Sequence, residues 1–258
     1  MFPPAYLAQC ANALSFMATG VTALAVARSL EDAPPRHREC WRLLGSAFLL
    51  FGIYWGTSDV LGGWALMEGP GSAPWNAFLR TSPGVNYGSN LTLYALCTLL
   101  IASSLRRERA GPLPERVVWG VLLLGMAAGT AAGWIEGPYR PAHLGNFVLL
   151  NTGLMMLLLS TLAVTVVTGA ADRLFALALA AYTAAYPLTT LWLSWQANDT
   201  PGRVTPRPLF SQLYFVSFVV VTLGITTYRW ILARRGIAVP AVLPRPFAGP
   251  ARADGRMR

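Results

Sequence analysis

Seven apolar stretches, each long enough to cross a bilayer as one helix, restrict this chain to a single class of fold. They are Ala5–Ala27, Leu43–Met67, Val85–Leu105, Val117–Ile135, Leu144–Ala171, Leu174–Gln196 and Pro208–Tyr228. At about 1.5 Å of rise per residue, about 20 apolar residues span the hydrocarbon core of a membrane. Composition agrees. Of 258 residues, 54% are hydrophobic and 12% are charged, against about 25% charged in soluble domains. The expected fold is all-α and integral to the membrane, a seven-transmembrane-helix bundle over residues 1–235. The remainder, 236–258, reads as a disordered Pro/Arg-rich tail, because it has too little apolar surface to pack.

Charge sets the orientation. The net charge of +9 comes entirely from arginine, since the chain has no lysine. Arg28, Arg36, Arg38 and Arg42 fall between the first and second stretches, and Arg106, Arg107, Arg109 and Arg116 between the third and fourth. Arg173 falls between the fifth and sixth, and Arg229, Arg234, Arg235, Arg245, Arg252, Arg256 and Arg258 follow the seventh. Only Arg80, Arg140, Arg203 and Arg207 fall on the other side. The excess of arginine marks the cytoplasmic side, so the N-terminus is expected outside and the C-terminus in the cytoplasm. Charge distributed this way orients a membrane protein and calls for no nucleic acid. No basic residue precedes the first stretch and no small-residue cleavage site follows it, so no signal peptide is expected. Arginine without lysine, beside many Ala, Gly and Pro, suggests a GC-rich bacterial genome and hence the bacterial inner membrane.

Asp59 is the one acidic residue set inside an apolar run. It shares a helical face with Gly45, Gly52, Gly56 and Gly63, and glycine faces are where membrane helices approach each other. An intramembrane carboxylate that faces a bundle is a candidate for function. The fourth stretch carries Gly125, Gly129 and Gly133 at four-residue spacing, a second packing face. Either glycine face could also receive a membrane-protein partner. The connection from Glu68 to Gly84 reads as the longest on the outer side, with PWNAFL as a short interfacial helix.

Every Asn and Gln falls in the outer half or the outer loops under this orientation, whereas the inner half carries mainly hydroxyls, which can bond to their own helix. A buried amide must meet another polar group, water or a ligand. The candidate ligand-binding residues are therefore Asp59, Asn12, Asn90, Asn151, Tyr186 and Gln212, with Trp55 as an aromatic wall and Trp64 and Trp134 as further lining. The alternative is that these amides join helices to one another or sit in the wet interface. Three cysteines give no disulfide framework. His37 and His143 lie in loops on opposite sides and read as surface residues, so no metal site and no cofactor is expected.

The sixth stretch contains Tyr182, Tyr186-Pro187 and Trp192, where the proline should kink the helix. In a seven-helix bundle with its N-terminus outside, that pattern resembles a microbial rhodopsin. The resemblance implies the topology alone: rhodopsins hold retinal on a lysine of the seventh helix, and this chain offers none.

Three functions are compatible with these features. One is a sensory or accessory membrane protein whose outward-facing polar and aromatic pocket binds a small, mostly apolar molecule such as a lipid or isoprenoid. The others are a proton-coupled transporter or membrane-embedded enzyme that uses Asp59, and a structural subunit of a larger membrane complex. No nucleophile–base pair, phosphate loop or paired carboxylates select the enzyme, and catalytic residues are unassigned.

Overall fold

The computed structural model describes residues 4–31, 33–106, 111–136, 144–185 and 209–242. Among these the chain is all-helical, with α1 over Pro4–Ser29, α2 over Pro35–Glu68, α3 over Ala73–Leu105, α4 over Glu115–Glu136, α5 over Leu144–Val167, α6 over Arg173–Ala185 and α7 over Leu209–Arg234. Six of the seven are long and apolar enough to cross a membrane, and α6 is a shorter apolar helix over its described length. The architecture is that of a multi-pass helical membrane bundle.

Prolines decide where two helices begin. Pro35 occupies the first turn of α2, where a missing N–H costs nothing, so the helix starts there and not at the apolar boundary Leu43. His37, Cys40 and Trp41 are thereby helical. At the far end of α2 the expected long connection is absent. Only Gly69 to Ser72 separate α2 from α3, with Gly69 at φ 82° and Gly71 at φ 88°, the left-handed conformation that glycine adopts without strain. Ser72 caps α3 by accepting the Trp75 N–H at 3.3 Å, Pro74 sits in the first turn, and the PWNAFL segment is the start of α3 instead of a separate interfacial helix. Pro83 lies buried inside α3 without ending it.

α1 packs on α2 and α7, while α3 packs on α2, α4 and α5. The α1–α2 contact interdigitates: a Cβ placed on Gly20 would come within 2.5 Å of Leu49, one on Gly45 within 2.8 Å of Leu24, and one on Gly52 within 2.7 Å of Met17. Only glycine lets the two backbones come so close. Gly125, Gly129 and Gly133 of α4 lie directly against the backbone of α3, so the expected small-residue seam is a contact within the bundle.

Phe16 of α1, Phe48 and Phe51 of α2 and Tyr182 of α6 form the aromatic centre. Phe16 lies 5.2 Å from Phe48, 4.5 Å from Phe51 and 5.8 Å from Tyr182, and Phe48 lies 5.0 Å from Tyr182. Most of these pairs meet edge to face, the arrangement that the ring quadrupoles favour.

The arginine-rich end is closed by polar contacts. Asp172, just before α6, accepts the Phe175 N–H at 2.8 Å and so caps that helix. Its other oxygen accepts Trp41 Nε1–H and Arg229 Nε–H, each at 2.9 Å. Glu39 Oε1 accepts the Leu113 N–H at 2.8 Å and Arg42 at 3.4 Å, which fixes the residues leading into α4. Arg36 donates to the Arg106 carbonyl and ties the start of α2 to the end of α3. After α7, Gly236 at φ 66° reverses the chain, with the Ile237 N–H returning to the Leu232 carbonyl at 2.9 Å. The segment then runs back to α6, where the Arg173 N–H donates to Pro240 at 3.1 Å and Asp172 forms an isolated bridge with Ala241.

Candidate functional site

Asn12 is the most unusual polar residue in the bundle. It lies in the half of α1 away from the arginines, one turn before Phe16 on the same helical face, so it is directed at the bundle interior next to the aromatic centre. It is fully buried, and neither its Oδ1 nor its Nδ2 has a hydrogen-bond partner among the described residues.

Asp59 lies on the glycine face of α2, as the spacing predicts, and is half-buried. The seam loosens at this level. A Cβ on Gly56 would meet Ala13 and Met17 only at 3.8 and 3.9 Å, ordinary contact distances, in contrast to the 2.7 Å at Gly52. Asp59 follows Gly56 by one turn on the same face of α2.

Trp55, also half-buried, sits one turn beyond Phe51 with the two rings 5.4 Å apart, and it packs against the core. Asn90 and Asn151 meet each other: Asn90 Nδ2 donates to Asn151 Oδ1 at 3.2 Å across the α3–α5 contact, and both are buried. Beside them the Tyr94 hydroxyl donates to the Leu150 carbonyl at 2.8 Å. Tyr186 lies outside the described residues, as does the side chain of Gln212 on α7.

Trp64 and Trp134, expected to line the pocket, are 52% and 61% exposed on the outside of the bundle, where an aromatic belt would meet lipid headgroups. Trp134 also borders a shallow, mainly apolar crevice of about 470 Å³ between α2 and α4, with Tyr54, Leu123, Met126 and Thr130. The Tyr54 and Thr130 hydroxyls are hydrogen-bonded there at 2.6 Å.

The sequence reading missed the buried charges. Arg229 lies inside α7 and not after it, and it is buried with Asp172. Asp172 could have been recognised as a helix cap, since it stands three residues before Phe175 at the start of an apolar run. His37 is likewise buried and not a surface residue: it faces the Gly169 carbonyl at 3.2 Å through Nε2, and Cys40 donates to Ala170 at 3.4 Å. Because α2 begins at Pro35, these residues form the first turns of a packed helix that grips the α5–α6 turn.

Asp172 accepts three hydrogen bonds, from Trp41, Phe175 and Arg229, so this group braces the bundle. Asn12, by contrast, keeps both its donor and its acceptor unmet among the described residues. No family model matches the chain, and no curated protein matches it. Fold and composition define the class, a multi-pass helical membrane protein.

Proposed function

We propose that the bundle is a ligand-binding membrane protein of the bacterial inner membrane, with its N-terminus outside. It takes a small, mostly apolar molecule, lipid or isoprenoid-like, between the ends of α1 and α2 away from the arginines. Asn12 anchors the polar end of the ligand, Trp55 and the Phe16–Phe51 pair form an apolar floor, and Asp59 borders the opening. Asn90 and Asn151 support the same layer; Tyr186 and Gln212, the remaining candidates from the sequence, lie outside the described residues and side chains.

The observation that carries this reading is the buried, unpartnered Asn12 amide. Such a group costs about 1–3 kcal/mol, a cost that a stable bundle avoids unless something else meets the group. The α1–α2 seam, which is less tight at Gly56 than at Gly52, and the aromatic rings next to Asn12 support an apolar lining for such a ligand.

The test is to purify the full chain in mild detergent and identify co-purifying apolar molecules by mass spectrometry. Wild type should retain a defined compound that Asn12→Leu loses, while the variant, relieved of the unpartnered amide, melts at the same temperature or higher. Identical bound molecules in both proteins would remove Asn12 from any binding site.

A further inference from the structure

The Asn12 amide offers one acceptor, Oδ1, and a donor, Nδ2, and both are buried without a partner. A ligand that answers only one of them leaves the other as costly as before. We infer that the ligand presents a hydrogen-bond donor and an acceptor to this one side chain, as a hydroxyl, a carboxamide or a protonated carboxylic acid does. This rests on the ligand-binding reading above and narrows it to a chemical class: an apolar body ending in a group that both donates and accepts. Ethers, esters, ketones and hydrocarbons fall outside it, because they lack the donor that Oδ1 requires.

The surroundings sharpen the requirement. Phe16 follows Asn12 by one turn on the same face, and its neighbours in the bundle centre are the rings of Phe48, Phe51 and Tyr182. Ala13, the next residue, is buried against α2, so the amide has apolar groups beside and beneath it. In so apolar a setting, hydrogen bonds are strong and unmet groups are expensive, so discrimination by a missing donor exceeds what the apolar body can recover.

The experiment uses three isoprenoids of equal chain length: farnesol, which donates and accepts, farnesyl methyl ether, which only accepts, and farnesene, which does neither. Binding to the purified full chain is followed by tryptophan fluorescence and by the shift in melting temperature. Farnesol should bind wild type about tenfold or more tightly than the ether or the hydrocarbon. In Asn12→Leu the three should become equal, with farnesol falling to the level of farnesene. Equal saturable binding of all three to wild type would overturn the donor–acceptor requirement and leave the ligand-binding reading intact. Absence of saturable binding by any of them would overturn both. The wild-type series decides the matter even if the variant fails to fold.

Discussion

Arg229 Nε lies 2.9 Å from Asp172 Oδ2, and the two side chains are 1% and 0% exposed. This buried ion pair joins the last third of α7 to the first turn of α6, and Trp41 adds α2 through the same oxygen. Removing one member leaves the other charged and buried, which costs about 3–5 kcal/mol. Arg229→Met or Asp172→Leu alone should therefore sharply lower the melting temperature in detergent. The Asp172→Leu/Arg229→Met double variant should recover part of the loss. A double variant as unstable as the sum of the singles would show that the two residues act independently.

The α3–α4 seam gives a second prediction. Gly129 lies against the backbone of Tyr87 and Gly88, whereas Ala128 on the same helix is exposed. Gly129→Leu should destabilise by about 1–3 kcal/mol or more, because a branched side chain forces α3 and α4 apart. Ala128→Leu should be nearly neutral. Comparing the two by thermal unfolding in detergent tests whether the seam holds the bundle.

Orientation is best read with introduced cysteines, since native Cys40 and Cys97 are buried and would stay silent from either side. Arg38 and Glu68 are exposed at opposite ends of α2. In intact cells an impermeant maleimide should label Glu68→Cys and reach Arg38→Cys only after permeabilisation. The reverse pattern would invert the orientation proposed from the arginines.

Asp59 is tested by Asp59→Asn, which keeps size and polarity and removes the charge. Because the residue is half-buried, unfolding should change by no more than about 1 kcal/mol. Retention of the co-purifying molecule should change. If retention and melting both match wild type, Asp59 has no part in the site.

The helices were legible in the sequence because lipid demands long apolar runs and little else produces them. The α4 glycines could be read for a related reason: four-residue spacing on an apolar helix has few uses other than close packing. The helix ends were less legible. Pro35 and Ser72 extend α2 and α3 beyond their apolar stretches, and hydropathy cannot register a cap made by one hydroxyl. The brace at the arginine-rich end was invisible because Trp41, Asp172 and Arg229 come from three separate parts of the chain, and counting Arg229 as one of many orienting arginines hid its partner. Asn12 could be singled out as an intramembrane amide, but its lack of a partner, unlike the pairing of Asn90 with Asn151, is a property of packing alone.

The brace around Asp172 also bears on how the bundle is assembled. Its contacts reach 131 residues back to Trp41 and 57 residues forward to Arg229, with Pro240 and Ala241 further on. The carboxylate at the entry turn of α6 has its counter-charge 57 residues later in the chain. Trp41 offers that turn a hydrogen bond but no charge, and among the described residues the ion pair to it comes from α7. The position of α6, and with it the Tyr182 ring beside Phe16 and Phe48, is thus tied to α7 through one ion pair, so a change at Arg229 reaches the aromatic centre through the helix it holds.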